Sequence, residues 1–181
     1  EAMRDGLVDE RAGLASVEEE AVLLAALVDD LQSLAQSDAG HATVVLEPTN
    51  VGGLVRRAVD GLLQMARAKG VTVEVEYDEE LPPAMLDGLR VGQVIANLVR
   101  NALLYTGPGG SVVVSAVREH DQLLLIVKDT GAGIPPEHLP FIFDRFYRVD
   151  SSRSRKTGGR GLGLSIARQL VEAHDGTITA E

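Results

Sequence analysis

Two β-rich runs joined by a short polar link constrain the fold of this chain more than any other feature. The runs, Ser111 to Arg118 and Gln122 to Lys128, predict a β-hairpin. The second run leads directly into the sequence DTGAG, residues 129–133, which places a carboxylate and two glycines at the end of a strand. Because glycine has no Cβ atom, the backbone here can approach a flat or charged ligand while Asp129 accepts a hydrogen bond from an amine.

Other strands are predicted on both sides of this hairpin. Strict alternation over VTVEVEY, residues 71–77, is typical of a half-buried strand. We expect shorter strands in TVVLE at 43–47, in PPAML at 82–86 and in TITA at 177–180.

Three helices are predicted between these strands. Asn50 is a good N-cap for a helix running to Lys69, and Asp87 for a long helix running to about Tyr105. A third helix should cover residues 162–174. The predicted fold class is α+β, a two-layer α/β sandwich in which helices cover one face of a mixed sheet.

The first 40 residues have a different pattern. Apolar residues recur from Leu14 to Ala35 in alternating steps of three and four, which predicts an amphipathic helix of a dimeric helical bundle. An ordinary helix packed on its own domain fits the periodicity equally well. We therefore divide the chain into a helical segment at 1–40 and a separate domain at 41–181.

Composition excludes several classes of function. The formal net charge of −10 argues against a surface for nucleic acid, and the absence of cysteine excludes disulfides, thiolate zinc sites and cysteine nucleophiles. No apolar run is long enough to cross a bilayer, so we do not expect this chain to enter a membrane. The first residue, Glu1, suggests a fragment of a longer protein.

The acidic chain nevertheless contains a cationic, glycine-bearing loop. Residues 141–160 carry six basic and two acidic side chains, a local charge of +4. A long loop without regular structure inside a compact domain is often functional, and its charge here suggests an anion clamp. A solvated charged loop is the alternative.

Two further motifs point to a phosphate ligand. Asn97 and Asn101 lie one helical turn apart, so their carboxamide oxygens share a face and could ligate magnesium. The sequence GGRGLGLS, residues 158–165, opens a predicted helix, where free backbone N–H groups favour a phosphate. Each motif also has a purely structural interpretation. Asn97 and Asn101 could be solvent-facing or capping side chains, and GGRGLGLS could be a simple helix-entry turn.

For Asp129 three interpretations stay open from the residues alone. It could bind the exocyclic amine of adenine, it could be the polar end of a turn, or it could belong to an aspartic protease dyad, because Asp-Thr-Gly-Ala after a strand resembles the active-site turn of the retroviral-type enzymes.

The order of the motifs favours one family. Asn-x-x-x-Asn, then Asp-x-Gly-x-Gly, then FIFDRFYR, then Gly-x-Gly-Leu-Gly-Leu resembles the catalytic ATP-binding domain of bacterial sensor histidine kinases, in the gyrase, chaperone, kinase and MutL ATPase superfamily with its Bergerat-type fold. The resemblance covers about residues 40–181. It extends backwards, because the heptad helix looks like the second helix of the family's dimerisation and phosphoacceptor hairpin.

The resemblance implies roles for individual residues. Asp129 would bond the adenine amine, and Asn97 and Asn101 would hold magnesium and phosphate. Arg145 and Arg148 fall where the family places cations near the phosphates, and catalysis is assigned to Asn97 and Arg145. An ATP lid is expected at about 135–160. The remaining nucleotide-binding positions are Tyr105, Gly131, Gly133, Ile134, Gly159, Arg160, Gly161, Leu162, Gly163 and Leu164.

The implied function is a protein-histidine kinase that uses ATP and Mg²⁺. Asn97 stands where gyrase-like ATPases have a Glu that activates water, and since it cannot act as a base, phosphoryl transfer fits better than hydrolysis. The γ-phosphate would pass to a histidine of the dimerisation domain in a homodimer and then to an aspartate of a response-regulator receiver domain. The expected location is the cytoplasmic part of a membrane-anchored sensor.

Some residues depart from the family pattern. Leu104 replaces a frequent Lys before Tyr105, and this keeps open a degenerate kinase domain acting as an interaction module. None of the four histidines lies in a phosphoacceptor motif, so the acceptor is expected upstream of Glu1. The chain also ends before the family's usual last strand, and the sheet is expected to lack that edge. A dimeric aspartic protease using Asp129 is the remaining alternative.

Overall fold

The computed structural model describes residues 44–149 and 161–181. The predicted heptad helix, the helical segment at 1–40 and lid residues 150–160 lie outside the described residues.

In the described residues, five strands form two small sheets. They are β1 (Glu47–Thr49), β2 (Thr72–Tyr77), β3 (Ala84–Leu86), β4 (Ser111–Glu119) and β5 (Gln122–Asp129). In the larger sheet β4 lies in the centre, parallel to β2 and antiparallel to β5, and β1 pairs antiparallel with β3. The predicted mixed sheet and hairpin are therefore confirmed.

Four α-helices accompany the strands in this part of the chain. They are α1 (Val51–Asp60), α2 (Leu63–Lys69), α3 (Gly88–Tyr105) and α4 (Gly163–Glu172). Both predicted caps are confirmed, because the N–H of Gly53 donates to Asn50 Oδ1 at 2.7 Å and the N–H of Arg90 donates to Asp87 Oδ1 at 3.1 Å. One short 3₁₀ turn, Leu139–Phe141, lies within the predicted lid.

The core lies between the larger sheet and the helices. Val112, Val114 and Ala116 of β4 are fully buried, as are Val99 and Leu103 of α3. The alternate residues of β5, Leu123, Leu125 and Val127, pack against this core, whereas Leu124 and Ile126 are exposed. Since burial alternates along β5, the helices cover one face of the sheet, as the α+β prediction requires.

The first strand begins later than predicted. We expected it at 43–47, but β1 starts at Glu47, opposite Leu86 in β3. The reason is that β3 ends at Leu86, directly before the cap of α3 at Asp87, so the chain before Glu47 has no β3 residue to pair with. The N–H of Val45 instead donates to Asp87 Oδ2 at 3.3 Å.

Two other elements differ from expectation. The single helix predicted from Asn50 to Lys69 is broken into α1 and α2 at Gly61, where a tight bond from the N–H of Leu62 to the carbonyl of Val59 turns the buried Leu62 side chain into the core. The strand predicted at 177–180 does not form. Within the described sheet β5 is an edge strand, paired with β4 alone, and residues 177–180 do not add to that edge.

Among the helices of the described part, none combines the length and the apolar character that a bilayer span demands.

Candidate nucleotide site

Helix α3 contacts the first glycine motif at its C-terminal end. A Cβ atom on Gly131 would lie 2.7 Å from the carbonyl oxygen of Tyr105 and 2.7 Å from Asp129 Oδ1. Only glycine lets the two backbones come this close. The structure therefore brings the DTGAG turn against the last residue of the helix that carries Asn97 and Asn101.

The same helix contacts the second glycine motif about two turns earlier. Asn97 Nδ2 donates to the carbonyl of Gly163 at 3.2 Å, and the Asn97 side chain is 8% exposed. A Cβ atom on Gly163 would be in ordinary contact with the Asn97 side chain, at 3.9 Å. The two contacts lie eight residues apart on α3, or about 12 Å along its axis.

Asp129 ends β5 with its side chain at the surface. Its Oδ1 accepts the N–H of Gly131 at 2.8 Å, which fixes the turn, and Thr130 Oγ1 accepts the N–H of Ser111 at 2.9 Å, which holds the turn to β4. Gly133 takes a left-handed φ of 69° with open space around it, and Ile134 is half-buried. Asp129 is thus held in place and still accessible to a ligand.

The second glycine turn packs on the aromatic segment before it. Gly161 has φ 73°, and a Cβ atom there would lie 2.6 Å from the carbonyl of Tyr147. The N–H of Phe146 donates to the Gly161 carbonyl at 2.9 Å. Leu162 is buried and its carbonyl accepts the N–H of Ile166, which starts α4. Leu164 is half-buried, and Gly159 and Arg160 lie outside the described residues.

The two predicted arginines lie in different surroundings. Arg148 has a buried Nη2 atom with no hydrogen-bond partner, as a site awaiting an acceptor would have. Arg145 lines a shallow cleft of about 210 Å³ beside α4, together with Ser165, Arg168 and Glu172. The residues lining this cleft do not include Asn97, Asn101 or Asp129.

Two of the cleft residues on α4, Arg168 and Glu172, form an ion pair. Arg168 Nε donates to Glu172 Oε1 at 2.7 Å, and this hydrogen bond, followed by the charge of Glu172, raises the pKa of Arg168. Both side chains are about half exposed, so the pair contributes little to stability.

The opposite end of α3 is held by Asp87. Partial burial acts to raise the pKa of the Asp87 carboxyl, but hydrogen bonds from the N–H groups of Arg90 and Val45, together with the Arg90 charge, outweigh burial and lower this pKa. The Arg90 guanidinium lies 3.2 Å from Asp87 Oδ2. Asp87 is therefore a carboxylate over the ordinary pH range and anchors the start of the helix.

Sequence reasoning missed two residues that hold α3. Lys69 Nζ donates to the carbonyls of Leu103 and Leu104 at 2.5 and 2.9 Å, so a lysine from α2 lies against the helix end where Leu104 replaces the family's frequent lysine. His174 accepts the N–H of Asp87 at 3.1 Å across 87 residues of sequence. Local patterns cannot reveal either contact, because both depend on how distant helices pack.

Comparison with known proteins agrees with this geometry. The family described as "Histidine kinase-, DNA gyrase B-, and HSP90-like ATPase" matches residues 86–181, just over half of the chain. Sensor protein DivL of Caulobacter vibrioides is 39% identical over 178 residues, 98% of this chain and 22% of DivL. Sensor protein SrrB of Staphylococcus aureus is 36% identical over 182 residues, 98% of this chain and 31% of SrrB.

A solved structure is similar as well. The crystal structure of full-length ShkA in complex with AMPPNP superposes with a TM-score of 0.76 at 28% identity, covering 92% of this chain and 34% of ShkA. This chain thus spans about a fifth to a third of the length of the two curated relatives above.

A mixed sheet backed by helices, with an asparagine-bearing helix that contacts two glycine turns, defines a two-layer α/β protein. The chain belongs to the histidine kinase-, DNA gyrase B- and HSP90-like ATPase family. This membership replaces the aspartic protease interpretation of Asp129.

Proposed function

We propose that this chain is the catalytic ATP-binding part of a two-component sensor histidine kinase. One observation carries the proposal. Helix α3 contacts the DTGAG turn through the Tyr105 carbonyl and the second glycine turn through the Asn97 amide. Groups suited to bind a nucleobase and groups suited to bind phosphates therefore both contact one helix. The ShkA complex with the ATP analogue AMPPNP supports a nucleotide as the ligand.

The adenine end of the site is assigned to Asp129. A carboxylate at a fixed strand end accepts a hydrogen bond from the exocyclic amine, and Gly131 and Gly133 leave room for the flat ring. Ile134 and the exposed ring of Tyr105 offer apolar surface beside it. Adenine would be selected because guanine presents an oxygen where Asp129 needs a donor.

The metal is assigned to the two asparagines of α3. The Nδ2 group of Asn97 already donates to Gly163, so its Oδ1 atom is left as the acceptor, and the Asn101 carboxamide lies one turn further along. Neutral oxygens with phosphate oxygens suit Mg²⁺, which would neutralise developing negative charge during phosphoryl transfer. In the described part of the chain, three or more His, Cys, Asp or Glu side chains nowhere gather into a metal site.

The phosphates are assigned to the start of α4. Gly161, Leu162, Gly163 and Leu164 provide a helix N-terminus with free N–H groups, and the buried, unpartnered Nη2 of Arg148 is a cation in need of an acceptor. Gly159, Arg160 and a lid at about 135–160 complete the assignment. We favour Arg148 over Arg145 for the phosphate contact, because Arg145 lines the outer cleft beside α4.

The reaction assigned to this site is transfer of the γ-phosphate to a histidine. Asn97 orients the ligand and cannot activate water, which favours transfer over hydrolysis. The acceptor histidine would lie on the dimerisation domain of a homodimer, and the phosphate would then pass to a response-regulator aspartate. The site would face the cytoplasm in a membrane-anchored protein.

A calorimetric titration of the chain with ATP and Mg²⁺ tests the proposal, using Asp129→Asn and the matched Asp78→Asn. Both carboxylates accept an N–H two residues on, at 2.8 and 2.9 Å, so the two variants perturb similar turns. We expect one-to-one, magnesium-dependent binding by wild type and Asp78→Asn, and at least about a hundredfold weaker binding by Asp129→Asn, since the amide can present an N–H to the adenine amine.

Two results would count against this proposal. Equal affinity of Asp129→Asn and wild type would remove the adenine assignment. Absence of ATP binding by a folded wild-type chain would favour the alternative of a degenerate domain acting as an interaction module, for which Leu104 is the supporting feature.

A further inference from the structure

His174 joins the C-terminal end of α4 to the N-terminal end of α3. Its Nδ1 atom lies 2.7 Å from the carbonyl oxygen of Leu170, and its Nε2 atom lies 3.1 Å from the backbone nitrogen of Asp87. A carbonyl only accepts and a backbone N–H only donates, so Nδ1 carries the proton and Nε2 is the acceptor. Both ring nitrogens of this half-buried side chain are therefore used.

A second contact fastens the start of α4 to the middle of α3. It is the bond from Asn97 Nδ2 to the carbonyl of Gly163, the first residue of α4. On α3 the two contacts are ten residues apart, at 87 and 97, and on α4 they are eleven apart, at 163 and 174. At the helical rise these are spans of about 15 and 16 Å. The helices run antiparallel, and the two contacts, one near each end of α4, have nearly the same spacing on both helices.

The partner of His174 is itself firmly held. The Asp87 carboxylate accepts N–H groups from Arg90 at 3.1 Å and from Val45 at 3.3 Å, and it pairs with the Arg90 guanidinium. The Asp87 backbone also starts α3, so its position is fixed. A displacement of His174 therefore moves α4 relative to the start of α3. The charged groups in this cluster are Asp87 and Arg90.

We propose that His174 is a positioning residue for nucleotide binding. By holding the far end of α4 against Asp87, it keeps the glycine turn at the near end in register with Asn97, so that the phosphate-binding N–H groups and the metal-binding amide act on one ligand. Without it, α4 keeps the Asn97 contact and its buried residues Leu162, Ile166 and Ala167, but its C-terminal end is no longer fixed to Asp87. This inference rests on the proposed function, because it concerns the same site.

Three variants separate positioning from general stability. His174→Gln keeps an acceptor at the ε position, whereas His174→Leu removes both polar contacts. Val59→Ala is the stability control, because Val59 is buried in α1 and takes part in neither contact. We expect His174→Leu to bind ATP and Mg²⁺ about tenfold more weakly in calorimetry, because a displaced glycine turn loses about the free energy of one hydrogen bond to the ligand. His174→Gln should recover most of that loss.

The control decides what a weaker affinity means. A variant that is destabilised but still folded binds with the affinity of its folded form, so Val59→Ala should bind as wild type does. Affinity of folded His174→Leu equal to that of wild type would overturn the inference. Failure of the wild-type chain to bind ATP would instead count against the proposed function.

Two further measurements test the inference without a ligand. ¹⁵N NMR of wild type should show His174 with its proton on Nδ1, and a proton on Nε2 would contradict the contact with Asp87. Hydrogen exchange of the Ser165 and Ile166 amides in the first turn of α4 should be at least about threefold faster in His174→Leu, because loss of the far contact loosens the near end. Unchanged exchange there would also overturn the inference.

Discussion

At the scale of single residues, the site depends on positions where a side chain has no room. Gly131 lies against the Tyr105 carbonyl, and Gly161 lies against the carbonyl of Tyr147. In both cases the missing Cβ atom permits a backbone contact between a motif and its neighbour. These glycines are therefore structural requirements of the site in addition to candidates for contact with the nucleotide.

Replacing Gly131 tests this requirement directly. In Gly131→Ala the new methyl group would meet two oxygen atoms at 2.7 Å, so the turn must shift. We expect a loss of about 1–3 kcal/mol in the free energy of unfolding, measured by urea denaturation, together with weaker ATP binding.

Gly107 provides the matched control for this substitution. A Cβ atom there has nothing within 4 Å, and φ is not in the left-handed region. Gly107→Ala should change the free energy of unfolding by no more than about 1 kcal/mol. Equal effects of the two substitutions would show that the contact between Gly131 and Tyr105 is not close.

At the scale of secondary-structure elements, α3 organises the domain. Its start is fixed by Asp87, its end by Lys69 from α2, and its middle by the Asn97 contact to α4. A charged lysine near the last carbonyls also complements the negative end of the helix dipole. The helix is thus held at three points along its length.

The Asp87 cap predicts a pH-dependent contribution to stability. Because the folded-state pKa of Asp87 is lowered below its ordinary value of 3.8, the carboxylate stabilises the fold above that value and this stabilisation is lost as pH falls through the folded pKa. Asp87→Asn keeps a capping oxygen and removes the charge, so we expect it to cost about 0.3–1 kcal/mol at pH 7 and progressively less below about pH 4, in urea unfolding compared with wild type.

Asp121→Asn is the control for this pH dependence. The Asp121 side chain is fully exposed and lies 3.6 Å from Arg118, so its replacement should have little effect at any pH. A cost of Asp87→Asn that stays constant between pH 7 and pH 3 would show that the carboxylate charge does not stabilise the cap.

Elements with a local cause were predictable from the sequence. The caps at Asn50 and Asp87, the hairpin and the alternating strand β2 all follow from side chains near in sequence. The limits of β1 and the absent strand at 177–180 were not predictable, because each depends on which distant segment is available for pairing. The break at Gly61 depends on the core that receives Leu62.

At the scale of the whole molecule, the order of the motifs predicted the family better than any single motif. Asp129 alone fitted three interpretations; the family excludes the protease, and the contact of its turn with α3 supports the proposed adenine contact. The contact between His174 and Asp87 was beyond sequence reasoning, because it requires the antiparallel packing of α3 on α4. Sequence motifs thus predict which residues are candidates for the site. The tertiary contacts that hold those residues in place are seen only in the structure.

The central claim is that the asparagine helix and both glycine turns bind one nucleotide. It is tested by ¹H–¹⁵N correlation NMR of the chain during a titration with ATP and Mg²⁺. The signals to follow are the backbone amides of Asn101, Gly131 and Gly163. All three amides should shift along one binding curve with a single dissociation constant. Shifts confined to one of the three, or three curves with different dissociation constants, would contradict it.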